Sequence, residues 1–269
     1  MAVATRMTAL LVAFLVMAPA FHALETRAEG VGVASTDPLA STSPLADSTR
    51  GVPKELEFPA TLGSYTTTLS GSQAARTANI QLAAQALDGA VLAPGEVLSF
   101  DHVVGPRSLE RGYQMAPVIL RETRQMQTGG GVCQVASTMF VAGLLSGLTP
   151  VERWRHSTPV DYIPLGHDAT IAWGAKDLKL RNDTEQRVRL RVFVTGATLS
   201  ARFEAEEASA EKFELATEER ELPPDLGVEQ ADAGREIELY RLRESVRGGG
   251  SREFVHRDVF PPSRGRRAP

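Results

Sequence analysis

The chain has 269 residues, of which 42% are hydrophobic and 23% charged, enough for one large or two small domains of ordinary soluble composition. Its 29 basic and 33 acidic side chains leave a formal net charge of −4, so no positive field favours nucleic acid. A single cysteine excludes an internal disulfide, a multi-thiolate zinc site and an iron–sulfur cluster. It also raises the question of what one thiol is for.

Residues 1–23 read as a secretory signal. Arg6 is the only charge in them, an apolar stretch runs from Ala9 to Ala20, and Phe21-His22-Ala23 ends on a small residue with Ala20 three positions before the cut. Pro19 and His22 interrupt that stretch, which is too short to span a bilayer comfortably; the alternative is an uncleaved amino-terminal anchor. No later stretch reads as membrane-crossing, so the mature chain is expected to have no transmembrane helix and to be secreted or periplasmic. Cleavage removes one arginine and no acid, taking the charge from −4 to −5. In such a compartment a leftover thiol is either buried and inert or reactive. Residues 24–57, rich in Ala, Ser, Thr, Pro and Gly, read as a disordered linker.

The folded part is expected over 58–204. Residues 62–70 (LGSYTTTLS) read as a strand. Residues 72–89 read as a helix with Ile80, Leu82, Ala83 and Leu87 on one face, Ser72 as N-cap and Gly89 as terminator. A Pro-Gly turn leads into a short strand ending at Phe100. Residues 101–114 read as a loop and 115–121 as a strand. Gly129, Gly130 and Gly131 are followed at once by VCQVASTMFVAGLLSGL, apolar nearly all round, which predicts a buried helix. Strands are expected at 151–157, 169–173 and 178–180. Residues 188–194 alternate Val188, Leu190, Val192 and Val194 with Arg189, Arg191 and Phe193, a half-buried strand, which Gly196 turns into a hairpin partner at 198–204. Residues 205–235 read as an acidic, irregular linker. Residues 236–269 read as a β-hairpin appendage around Gly248–Gly250, followed by a basic tail.

Cys133 falls in the first turn of the buried helix, two residues after the glycines. A helix amino terminus stabilises a thiolate, the glycines allow close backbone approach, and N–H groups around Gly130, Gly131 and Gln134 can hold an oxyanion. A nucleophilic thiol needs a base, and the base an orienting group. His156 lies on the strand after the helix, and Asp168 opens the next. His167 is the competing base, but on strand parity it faces away from Asp168. The alternatives are a buried packing thiol and a metal site built from Cys133, His156, His167 and Asp168, which no HExxH or CxxC spacing supports. Arg107, Arg111 and Tyr113, in the loop VGPRSLERGY, are candidates to bind an anionic or sugar-like ligand, with Glu152 and Arg153 as further candidates. A solvated loop and cross-strand pairing are the corresponding structural roles.

The stretches SQAARTANIQLAAQALDGAVLAPGEVLSFDHVVGPRSLERGYQMAPVIL, GGGVCQVASTMFVAGLLSGL and VERWRHSTPVDYIPLGHDATIAWGAKDLKLRN resemble the VanW family over about residues 62–204. The residues on that family's recurrent motif are Gly129, Gly130, Gly131, Cys133, Gln134, Glu152, Arg153, His156, Ser157, Tyr162, Gly166, Asp168, Ala169 and Asp177. The resemblance implies a bacterial envelope protein of a family named for an accessory gene in vancomycin-resistance clusters. The carboxy-terminal hairpin is similar in style to small β modules appended to such proteins.

The expected fold is α+β, with a buried Cys-bearing helix packed on an antiparallel sheet in a transglutaminase- or papain-like arrangement. The expected function is acyl transfer or amide hydrolysis on cell-wall peptide or another envelope component, with Cys133 as nucleophile, His156 as base and then acid, Asp168 as orienter, and no cofactor or metal. The rival is a non-catalytic peptidoglycan- or glycopeptide-binding accessory module.

Overall fold

The computed structural model describes residues 57–69, 74–120, 123–223, 233–246 and 248–262. The expected signal, Ser72, the basic tail and all but the end of the expected linker lie outside them. Strand β1 (Ala60–Thr68) is followed by helix α1 (Ala74–Leu87). The helix buries Ile80, Ala83, Ala84 and Leu87, one face at helical spacing, and adds the polar Asn79. Two short strands follow, β2 (Val91–Leu92) and β3 (Val97–Ser99).

The expected loop at 101–114 contains helix α2 (Phe100–Val104), capped by Ser99 Oγ accepting the His102 N–H, and a 3₁₀ turn at Leu109–Arg111. Strands β4 (Met115–Leu120) and β5 (Thr123–Thr128) form a hairpin. Helix α3 (Val132–Leu145) buries every residue except Cys133 and Leu145, as its all-round apolar sequence requires.

Strand β6 (Thr149–Glu152) is shorter than the expected 151–157. Residues 169–173 are not a strand; their only bridge is Ala172 with Lys176 across a turn. Strands β7 (Lys179–Arg181), β8 (Val188–Thr195) and β9 (Thr198–Ala205) complete the part expected from the alternating pattern. β8 buries Val188, Leu190 and Val192, and Arg189 on its other face pairs with Glu204 at 2.6 Å.

The sheets are antiparallel, with orders β1-β9-β8-β2 and β3-β7-β6. Helix α3 lies on β1 and β9, and α1 lies on β8. Gly63 of β1 lets the strand approach the end of α3, since a Cβ there would stand 2.5 Å from the Leu145 carbonyl. The core they enclose includes Phe100, Phe140, Phe203, Met139 and Leu180.

The acidic stretch 205–235, expected to be irregular, contains strand β10 (Glu211–Leu222). β10 pairs along its whole length with β11 (Gly234–Ser245), which pairs with β12 (Gly250–Phe260). The expected appendage is therefore a three-stranded sheet. Glutamates dominate β10 and hide its alternation, but three of its five pair across the sheet: Glu211 with Arg243, Glu218 with Arg252 and Glu219 with Arg235. Cross-strand charge pairs stabilise a polar strand that its local composition does not announce. Phe213 of β10 lies against Gly147 at the end of α3, and Arg241 of β11 donates to the Leu148 carbonyl at 2.7 Å. No helix among the described residues is long and apolar enough to cross a membrane.

Candidate active site

The glycine run shapes the approach to Cys133. Gly131 caps α3 with φ 103°, a left-handed conformation that favours glycine. A Cβ on Gly131 would meet Arg76 Cγ of α1 at 2.7 Å, and one on Gly130 would meet the Ala116 carbonyl of β4 at 2.5 Å. Buried Asn79 holds the loop by donating to the Gly130 and Gln114 carbonyls at 3.0 and 2.9 Å and accepting the Gln114 N–H at 2.7 Å. The glycines therefore serve close packing between α1, β4 and the start of α3.

Cys133 is the half-buried residue of an otherwise buried helix turn. Its Sγ lies 3.6 Å from Thr170 Oγ1 and 3.7 Å from the Ile171 carbonyl, and it neighbours the His156 ring. Burial pushes the thiol up. The His156 hydrogen bond and charge, with hydrogen bonds at Ile171 and Thr170, outweigh it and bring Cys133 down to about 7. Burial pushes His156 down, but hydrogen bonds to Asp168 and Cys133 and their negative charges raise it to about 9. His156 Nδ1 stands 2.6 Å from Asp168 Oδ2, and the same oxygen accepts the His156 backbone N–H at 2.7 Å. One carboxylate thus fixes both the ring and its backbone. Burial raises Asp168, but His156 and Arg153 hold its carboxyl below the usual range. Since His156 binds its proton more tightly than Cys133, between about 7 and about 9 the favoured state is thiolate and imidazolium.

Several residues around the site carry roles that spacing alone does not reveal. Ser137, one turn beyond Cys133, accepts the Ala169 N–H at 2.9 Å and lies 2.9 Å from the Cys133 carbonyl. It ties the segment carrying Asp168 to α3. Tyr162 OH lies 3.2 Å from Ser137 Oγ, and its ring meets His156 edge-on at 6.5 Å. Burial first, then the neighbouring Cys133 charge, raises the phenol well above its usual value, so it stays protonated. Tyr162 is on the recurrent motif, and that was the only sequence signal for it.

The remaining expected contacts are placed differently. The Gln134 N–H donates to the Gly131 carbonyl at 3.0 Å, and its buried side chain bonds Arg76, Thr67 and the Thr68 carbonyl. The Gly130 N–H donates to Gln127 at 3.4 Å. Neither Gly130 nor Gln134 is free to hold an oxyanion. Arg107 is engaged by Asp101 at 2.6 Å and lies over the Trp173 ring, while Tyr113 is a core residue; a loop read as ligand-facing is pinned inward by that ion pair. Glu152 accepts from Lys179, Trp154 and the Asp177 N–H on the β6–β7 surface. Arg153 is buried between two carboxylates, donating to Asp168 Oδ1 at 2.9 Å and Asp258 Oδ1 at 2.6 Å. With its Nε also on the Asp168 carbonyl, the guanidinium is engaged on every nitrogen and braces the site. His167 is depressed by burial, and its Nδ1 lies 3.1 Å from the Leu165 carbonyl; it is His156 that neighbours the thiol. Among the described residues no three His, Cys, Asp or Glu side chains gather to hold a metal ion.

Residues 75–203 match the family model described as VanW like protein. Uncharacterized protein YoaR of Bacillus subtilis (strain 168) is 40% identical over 138 residues, 51% of this chain and 46% of that protein. Vancomycin B-type resistance protein VanW of Enterococcus faecalis (strain ATCC 700802 / V583) is 34% identical over 112 residues, 40% of this chain and 41% of that protein. The chain thus spans less than half the length of these curated relatives. No solved structure matches. The matched segment holds Cys133, His156 and Asp168, and through it the chain carries a VanW-like domain at residues 75–203.

Proposed function

We propose that this chain is a secreted cell-envelope protein that uses Cys133 for acyl transfer or amide hydrolysis on cell-wall peptide. The carrying observation is the chain Cys133–His156–Asp168, with His156 held at 2.6 Å by Asp168 and the thiol as its neighbour. In this reading the thiolate attacks an amide carbonyl carbon, forming a C–S bond. The His156 imidazolium gives its proton to the nitrogen as the C–N bond breaks and the amine leaves. Water or an acceptor amine then attacks the thioester; neutral His156 takes that proton, and the thiolate departs. The side-chain donors for the developing oxyanion are then the Thr170 hydroxyl, 3.6 Å from Sγ, and the protonated Tyr162 on leaving Ser137. A nucleophile in the first turn of a buried helix facing a histidine is the arrangement shared with papain-like and transglutaminase-like enzymes. The relative named for vancomycin resistance supports a place in envelope maintenance or glycopeptide tolerance, and the signal-like sequence of residues 1–23 supports export.

The test is intact-mass measurement after incubation with amidated cell-wall peptides. A covalent acyl adduct on the unmodified chain, absent from Cys133→Ala, is expected. A thiol that alkylates with a midpoint near the free-cysteine value of about 8.5 and forms no adduct overturns the reading.

One observation favours the second reading, a non-catalytic glycopeptide-binding module. Trp173, inside the Ala172–Lys176 turn, and Trp154, beneath Lys176 of that turn, are about half exposed, and Arg107 lies over the Trp173 ring. Such rings can stack on a sugar. Ligand binding that survives Cys133→Ala with no adduct in either protein identifies that case.

A further inference from the structure

The carboxy-terminal sheet lies beyond the family match at 75–203, yet it meets the residues behind the thiol site at several points. Arg153 donates through Nε to the Asp168 carbonyl at 2.7 Å and through Nη2 to Asp168 Oδ1 at 2.9 Å. Its remaining terminal nitrogen, Nη1, donates to Asp258 Oδ1 of β12 at 2.6 Å. The guanidinium is thus forked between the carboxylate that orients His156 and one from another sheet. Both carboxylates are buried. A planar fork bridges two anions in fixed directions, which a lysine cannot do. Arg155, beside His156, lies over the Phe260 ring of β12 at 4.7 Å. Gly166, two residues before Asp168, leaves no room for a side chain: a Cβ there would stand 2.9 Å from Ile237 Cγ2 of β11. The strands β11 and β12 therefore hold both segments from which His156 and Asp168 project.

We propose that Asp258 is a positioning residue for the thiol site: it fixes Arg153, Arg153 fixes Asp168, and Asp168 fixes His156. This rests on the reading of Cys133, His156 and Asp168 as the reactive site. It assigns to the carboxy-terminal sheet a part in that site. Asp258 touches neither the thiol nor a substrate.

The experiment is a double-mutant cycle read on the His156 ring by NMR titration, in the full chain carrying Cys133→Ala. Removing the thiol separates this test from the fate of the catalytic reading, which is judged by alkylation of the unmodified chain. Asp258→Asn is expected to lower the proton affinity of His156 about tenfold, one pKa unit. In a chain already carrying Asp168→Asn, the same change is expected to have no further effect, because the route through Asp168 is gone. Equal shifts in both backgrounds mean that Asp258 acts only as a distant charge, and overturn the proposal. No shift in either overturns it too. If a carboxylate variant fails to fold, Arg153→Lys carries the test: it keeps the charge and loses the fork. It is expected to lower His156 as Asp258→Asn would, and an unchanged titration again overturns the proposal.

Discussion

At the residue scale the decisive fact is a proton's address. Cys133 at about 7 and His156 at about 9 mean that the proton passes to the imidazole before the thiol would ordinarily release it. The sign of the pH dependence follows. As pH rises through about 7 the thiolate forms, and as it rises through about 9 the imidazolium is lost. Attack requires the first and protonation of the leaving amine requires the second, so turnover should rise near 7, hold, and fall near 9. A pH–rate profile checks this; a single rise near 8.5 with no upper limb contradicts it. Alkylation of Cys133, which needs only the thiolate, should show the lower limb alone. Tyr162→Phe should leave that alkylation midpoint nearly in place and slow acyl-adduct formation by roughly 10²-fold, the usual cost of one oxyanion donor. An unslowed variant removes Tyr162 from the mechanism.

At the element scale, the start of α3 is set by contacts that tolerate no side chain. A Cβ on Gly130 would lie 2.5 Å from the Ala116 carbonyl, a backbone atom that cannot swing aside. Gly130→Ala should therefore cost about 1–3 kcal/mol, as overpacking does, seen as a lower urea midpoint with an unchanged slope. It should also raise the alkylation midpoint, because the first turn of α3 carries the thiol. A variant as stable as the parent would mean that β4 yields freely. The same logic explains why 169–173 is not a strand. Thr170 and Ile171 spend their polar groups on Cys133 and on the Trp154 carbonyl, so that segment serves the site instead of a sheet ladder.

At the scale of the whole molecule, the carboxy-terminal sheet bonds to the chain that leaves α3: Phe213 packs against Gly147, Arg241 donates to the Leu148 carbonyl, and Asp258 accepts from Arg153. Sheet and helix should unfold together: amide exchange in β11 and α3 should report the same opening free energy. Independent opening of β11 would show the sheet to be a separate unit. Acid should weaken this joint. Burial raises the Asp258 carboxyl, but His256 and Arg153 overcome that and lower it to about 2, from an ordinary 3.8. A depressed carboxylate stabilises the fold above its unfolded value and loses that contribution as pH falls through the folded one. The stability deficit of Asp258→Asn should thus be full above about pH 4 and shrink toward pH 2. A deficit constant across that range would mean that the Asp258 charge is not involved.

The sequence by itself determined the elements whose pattern is local. The all-round apolar run after three glycines could only be a buried helix, and the Val–Arg alternation at 188–194 could only be a half-buried strand. Chain order put Cys133 in the first turn of that helix, but the strands expected to carry His156 and Asp168 are absent there, since β6 ends at Glu152 and 169–173 is irregular. What the tertiary structure decided was everything carried by distant partners. Glutamate-rich β10 is held as a strand by its full-length pairing with β11, with arginines of β11 and β12 set against Glu211, Glu218 and Glu219. Gln134 and Arg107 are withdrawn from any ligand because Arg76 and Asp101 engage them. Arg153 became a brace because Asp258 arrives beside it from 105 residues along the chain. Local composition records the preferences of a segment; it does not record which charge will be buried against which, and here those pairings set the form of the site.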